Sequence, residues 1–205
     1  LRLSALSAGN VFDIIFKKHI FIQRKMMHPN ITLGDKSFRL YITEAQIQEA
    51  VKQIANRINE DYKGKSLLII PILNGSFMFA SDLMKQLSCQ CEISFIKASS
   101  YKGTNSSGQL TSLIGINEDL SGRNIIILED IIDTGHTLAK IIPSFKELQP
   151  ASIRVATLLF KPLALKEDIT IDYIGLEIAN EFIVGYGLDY NGLGRNLKEI
   201  YQVVE

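Results

Sequence analysis

The sequence predicts an α/β domain built on a mainly parallel sheet. Short runs rich in aliphatic residues recur at 67–73, 124–128 and 153–160, the mark of strands buried on both faces. Helical patterns lie between them, and strands alternating with helices imply parallel pairing through right-handed crossovers. With 205 residues, 46% of them apolar, one domain can bury a sizeable core. Lys+Arg 22 against Asp+Glu 22, without tryptophan, argues against a protein that grips nucleic acid through a basic surface. Five prolines and 14 glycines exclude a collagenous or low-complexity chain. The longest apolar run, 67–73, falls far short of the roughly 20 residues that a bilayer requires, so no membrane partner is expected.

Residues 1–26 differ in character from the remainder of the chain. Their apolar stretch is interrupted by Asp13, and the basic cluster Lys17, Lys18, Arg24 and Lys25 comes after it, the reverse of a secretory signal. They are expected to be a poorly ordered or non-native extension, with an organellar transit segment as the rival reading, and the functional domain is expected over 27–205.

Thr43-Glu44-Ala45-Gln46 is a capping box, and Ile47, Val51, Ile54 and Ile58 follow at helical spacing, so a helix is expected over 43–62 until Gly64 breaks it. The strand at 67–73 comes next. Asn74-Gly75-Ser76 then turns the chain into a helix over 77–87, and 93–98 returns as a strand. Cys89 and Cys91 read as two strand residues on one face. A C-x-C pair without a third ligand is poor zinc chemistry, and free thiols fit a reducing, cytoplasmic setting. The polar stretch 99–109 has no apolar period and reads as a mobile loop. The strand at 124–128 ends in Glu129-Asp130; a helix over 137–148 carries Pro143 as an expected kink. Strands at 153–160, 173–177 and 182–184 complete the series.

The stretch after the 124–128 strand is the most informative. Two adjacent carboxylates at a strand's carboxyl end are costly unless they meet cations or hydroxyl donors. Thr134, Gly135, His136 and Thr137 then offer hydroxyls, a flexible glycine and free amides at a helix start, which together favour an anion. Acids beside such a cradle suit a sugar phosphate; an N-capped helix preceded by two solvated acids is the plainer alternative. A Walker A loop is absent, since Gly64-Lys65-Ser66 has Asn59 where the earlier glycine belongs, and Gly185-Tyr-Gly187 fails the dinucleotide fingerprint at Tyr190.

Leu128-Glu-Asp-Ile-Ile-Asp-Thr-Gly-His-Thr137 closely resembles the phosphoribosyl diphosphate motif of type I phosphoribosyltransferases, in the variant found in hypoxanthine-guanine phosphoribosyltransferases. Four further pieces agree in order: Leu73-Asn-Gly-Ser76 resembles the pyrophosphate loop, Ser99-Ser-Tyr101 the mobile loop, Lys161-Pro162 the base-reading strand end, and 182–191 with Arg195 the hood. The resemblance implies the parallel-sheet fold of that family, with a small hood built from 30–45 and 165–205. It also implies a transfer of the phosphoribosyl group from phosphoribosyl diphosphate to a 6-oxopurine, with Mg2+ as cofactor.

Residue by residue, the resemblance assigns Glu129 and Asp130 to the ribose hydroxyls and the metal, and Asp133 to acid–base work at purine N7. Thr134, Gly135, His136 and Thr137 are assigned to the 5′-phosphate. Leu73, Asn74 and Gly75 fall to the pyrophosphate, with a cis peptide implied at Leu73–Asn74 and Arg195 as a cation. Lys161 is assigned to the 6-oxo oxygen, Phe182 to stacking on the base, and the Ile183 backbone to its edge. Asp189 is assigned to a second magnesium, Ser100 and Tyr101 to closure over the reacting groups. His136 and Asn74 depart from the basic residues frequent in relatives. A homodimer or homotetramer is expected, and no nucleic-acid partner. The same chemistry on xanthine or adenine, or a non-catalytic sensor of phosphoribosyl diphosphate that binds nucleic acid, are the competing readings.

Overall fold

A computed structural model describes residues 29–98, 113–114 and 118–204. The expectations for 1–26 and for the loop 99–109, including Ser100 and Tyr101, lie outside the described residues. In chain order the elements are β1 (Ile31–Leu33), β2 (Lys36–Ile42), α1 (Glu44–Asp61), β3 (Ser66–Leu73), α2 (Phe77–Met84), β4 (Gln90–Ile93), β5 (Ile96–Ala98), β6 (Leu113–Ile114), β7 (Asn124–Ile132), α3 (His136–Glu147), β8 (Ser152–Phe160), β9 (Tyr173–Glu177), β10 (Ile183–Val184) and β11 (Ile200–Val203).

The larger sheet runs β6-β5-β3-β7-β8-β9, with β4 alongside the first half of β3; all pairings are parallel except β5 with β6. Alternate residues of its central strands face opposite layers. Leu67, Ile69, Ile126 and Leu128 pack with α1 and α2 residues such as Ile54 and Phe79, whereas Leu68, Ile70, Ile125 and Ile127 pack with Leu138, Ile141 and Phe145 of α3. This double burial is why those strands read as unbroken aliphatic runs.

The capping box forms as expected: the Gln46 amide donates to the Thr43 hydroxyl, and the Thr43 amide donates to the Gln46 side chain at 3.0 Å. The strand expected at 93–98 is two strands. The break lies opposite Ile70 and Pro71, and a proline has no N–H to give to a ladder. β7 runs four residues past the expected end because β8 continues beside it, so Glu129 and Asp130 sit inside a strand rather than in a loop. The helix after Asn74-Gly75-Ser76 closes earlier than expected, at Met84. α3 passes through Pro143, with Ile141 and Phe145 buried on either side of it. Cys91 lies in β4 and Cys89 just before it; their sulfurs are 3.2 Å apart and both thiols are half-buried against the α1–α2 layer.

A second sheet of order β1-β2-β11-β10, antiparallel throughout, is only partly evident in the sequence: β1 and β11 are too short to show a period, and the charged and aromatic residues of β2 mask one. Among the described residues no helix is long and apolar enough to cross a membrane.

Two substitutions measure how far this framework depends on buried volume and on its caps. Ile126→Ala, at a fully buried centre of β7, is expected to lower stability by about 2–5 kcal/mol. Thr43→Ala should cost about 1 kcal/mol. Both are read as a lower urea midpoint at an unchanged slope.

Candidate active site

The described candidate site residues lie at or beyond the carboxyl ends of β3, β7 and β8, or in and beside β10 and the turn that follows it. In open α/β sheets this is where ligands bind.

The centre is the acid pair of β7. Burial raises the Glu129 carboxyl well above the ordinary range, with Asp130 beside it adding to the effect. Glu129 Oε2 is buried and has no hydrogen-bond partner. Burial likewise pushes Asp130 up to about 6, the nearby Arg195 opposing this and Asp189 reinforcing it. Two carboxyls that resist ionisation, one with an orphaned oxygen, form a site suited to a cation or to hydroxyl donors.

The turn after β3 packs directly on this pair. A methyl group on Gly75 would lie 1.7 Å from Asp130 Oδ2, so only glycine lets the turn approach. The Leu73–Asn74 peptide is cis. Ser76, fully buried, donates its hydroxyl to the Ile72 carbonyl at 2.5 Å and starts α2. From the other side comes the turn after β10: a Cβ on Gly187 would lie 1.9 Å from the Gly75 carbonyl oxygen. Arg195 donates to the Gly187 carbonyl at 2.7 Å and pairs with Asp189 at 2.5 Å, while Asp189 also accepts from the Gly192 amide at 2.7 Å. Gly75, Asp130, Gly187, Asp189 and Arg195 thus form one contiguous group.

A second group lies one turn of chain further on. Buried Lys161, at the end of β8, donates to Asp133 Oδ2 at 3.3 Å and to the Asn180 side-chain oxygen at 3.4 Å. Asp133 is half-exposed and therefore reachable by a ligand. The third group is the start of α3. Gly135 has φ 83°, and its bare Cα faces Leu165, Glu167 and Ile169 closely enough that any side chain would crowd them. His136 shares a 2.5 Å hydrogen bond with Glu167, and the Lys166 amide donates to the Thr134 carbonyl at 3.1 Å. Thr137, partly buried, is the second residue of α3, among the first amides that lack intrahelical acceptors.

Half-exposed Phe182 belongs to an aromatic cluster, 5.9 Å edge-on to Tyr190 and 6.4 Å from Phe38, with Lys36 Nζ 5.7 Å from its ring centre. Ile183 is buried in β10. Lys36, Tyr190, Asn180 and Glu167 were given no role by the sequence; each comes to the site only through tertiary folding, although Tyr190 stood within the hood-like stretch.

Among the described residues no three side chains converge as a metal cluster. The donor set at Glu129 and Asp130 still fits magnesium: it is all oxygen, carries an unsatisfied carboxylate oxygen, and magnesium ordinarily takes one or two carboxylates and completes its shell with water and substrate phosphates. Asp189 could join it only by exchanging Arg195.

Comparison with known proteins agrees with this geometry. The family model described as a phosphoribosyl transferase domain matches residues 42–191. The hypoxanthine-guanine phosphoribosyltransferase of Streptococcus pneumoniae is 40% identical over 163 residues, covering 79% of this chain and 91% of that protein; the Staphylococcus aureus protein of the same name is 40% identical over 160 residues, covering 78% and 89%. A crystal structure of a hypoxanthine-guanine phosphoribosyltransferase from Bacillus anthracis superposes with a TM-score of 0.75 at 41% identity, covering 80% of this chain and 98% of that one. With a matching domain model over most of its length, close relatives of nearly its own size and the same architecture in a solved structure, the chain belongs to the phosphoribosyltransferase family, in its hypoxanthine-guanine branch.

Proposed function

We propose that this protein is a purine-salvage enzyme of the cytoplasm. In this reading it transfers the 5-phosphoribosyl group from phosphoribosyl diphosphate to N9 of hypoxanthine and guanine, giving IMP or GMP and pyrophosphate, as a homodimer or homotetramer. The observation that carries the proposal is the pairing of Lys161 with Asp133 at 3.3 Å. The 6-oxo oxygen of hypoxanthine or guanine is an acceptor on the edge that also carries N7, whereas adenine offers a donor at the 6-position. A buried ammonium donates to the 6-oxo oxygen and is opposed by adenine's 6-amino donor, and in this reading the Asp133 carboxyl beside it faces N7.

Bond-making at the anomeric carbon lags behind departure of pyrophosphate, so the sugar gains positive charge. Glu129 and Asp130 beneath it hold the ribose hydroxyls and favour that charge in a water-poor site. Thr134, Gly135, His136 and Thr137 fix the 5′-phosphate at the start of α3. Leu73, Asn74, Gly75 and Arg195 hold the diphosphate, with Ser100 and Tyr101 closing over it. Phe182 stacks on the base, and the Ile183 backbone reads its far edge. As N9 attacks, the proton on N7 passes to Asp133, and Lys161 holds O6. Glu129, Asp130 and Asp189 would hold magnesium, which when bound would supply charge neutralisation for the leaving diphosphate. The strands β1, β2, β10 and β11 serve as the hood of a domain that spans 27–205.

Pyrophosphate release with each of hypoxanthine, guanine, xanthine and adenine, in the presence of magnesium, tests the assignment; preference for adenine over hypoxanthine would overturn it. Asp133→Asn is expected to lower turnover about 10²–10⁴-fold with IMP binding largely kept, measured by steady-state kinetics and calorimetry. Lys161→Ala should blur discrimination at the 6-position, so that the hypoxanthine-to-adenine ratio of kcat/KM falls.

The buried acids also set a pH dependence. Because the folded protein keeps a proton on Asp130 up to about pH 6 while the unfolded chain releases it near pH 4, stability falls as pH rises through that window, by on the order of 2–3 kcal/mol. In metal-free buffer, Asp130→Asn should therefore melt higher than the parent at pH 8 and lose this slope, while losing binding of phosphoribosyl diphosphate.

A further inference from the structure

A polar cluster outside the site ties the turn after β10 to α2. Tyr186 is buried between Gly185 and Gly187, both at φ 101°, and itself takes φ 47°, a conformation that bulky side chains rarely adopt. Its hydroxyl donates to Asp82 Oδ2 at 2.8 Å; the same oxygen accepts from Gln48 of α1 at 2.7 Å, and Asp82 Oδ1 accepts from Lys85 at 2.9 Å. Burial alone would raise the Asp82 carboxyl, but the three donors outweigh it and hold the pKa below its ordinary value, so it remains an anion and a strong acceptor. Backbone bonds then carry the constraint outward. The Tyr186 amide donates to the Leu197 carbonyl at 2.9 Å and the Gly187 amide to the Arg195 carbonyl at 3.0 Å. Gly187 rests on the Gly75 carbonyl.

The helix α2 therefore meets this turn at two places. At its start the Leu73–Ser76 turn touches Gly187; further along, Asp82 holds Tyr186. We propose that Asp82 and Tyr186 are positioning residues for the diphosphate: their hydrogen bond fixes the 185–187 turn, and through it Arg195 and Asp189, above the loop that carries Gly75. The inference rests on the functional reading above, since it needs that loop to hold pyrophosphate. The base side of the site is anchored differently. Ile183 and Val184 pair with Gln202 and Tyr201 of β11, and Lys161 with Asp133, so neither depends on the phenol.

The test compares two ligands by calorimetry on the full chain: magnesium phosphoribosyl diphosphate, which needs the loop and the turn, and IMP, which has no diphosphate. Tyr186→Phe and Asp82→Ala should weaken the first about tenfold, within the scale of one hydrogen bond to a charged group, and leave IMP within twofold. Asp82→Asn, which keeps an acceptor for the tyrosine hydroxyl, should recover most of the loss. Equal weakening of both ligands in step with a lower melting temperature would overturn the inference in favour of a merely structural tie, and so would no change in either. If the unaltered protein binds neither ligand, the functional reading itself falls and takes this inference with it.

Discussion

The site depends on holding two carboxyl groups where water cannot fully solvate them. Glu129 and Asp130 stand at the end of a strand whose preceding residues, Ile125 to Leu128, are completely buried, and the Gly75 turn closes over Asp130. The free protein bears the resulting cost as carboxyls that ionise late. A ligand that brings hydroxyls and a divalent cation relieves it, so the stored unfavourable energy becomes part of the affinity for that ligand. Most of the neighbouring features follow from this: glycine at 75 because nothing larger fits, glycine at 187 because the turn must lie on Gly75, and Arg195 close enough to moderate the acid pair while engaging Asp189.

Much of this was legible in the sequence because it is local. The capping box at Thr43, the doubly buried runs of β3, β7 and β8, and the acids followed by Thr134 to Thr137 are contiguous patterns whose meaning does not depend on distant partners. The reach of β7 past Leu128 was not legible, because its extra residues are ordered by β8 and not by their own apolarity. β2 and β11 were hidden for a similar reason. Each alternates imperfectly, and each is a strand only because the other pairs with it across more than 150 residues of chain. Asn180 beside Lys161, Lys36 over Phe182 and Glu167 against His136 are likewise contacts between segments, and no spacing rule announces them.

Two positions show how a motif can be kept while its chemistry shifts. His136 stands at the start of α3, where a cation would face the positive end of the helix dipole, and its ring is tied to Glu167 at 2.5 Å. The backbone amides and the threonine hydroxyls consequently carry more of any phosphate held there than the histidine does. Asn74 is neutral in the turn proposed to hold the diphosphate, and in that proposal more of the demand falls on Arg195, already committed to the Gly187 carbonyl and to Asp189.

The pairing of β2 with β11 has a consequence for synthesis. A nascent chain that has emerged only as far as β9 already holds the described strands of the larger sheet, both helical layers and the start of α3. Phe38, fully buried in the finished protein, then still lacks its neighbours Phe182 and Tyr190, and β2 exposes an unpaired edge. A chain cut before Ile200 would leave this edge of β2 unpaired beside the aromatic cluster, an adhesive flank that quality-control factors would meet as an aggregation hazard.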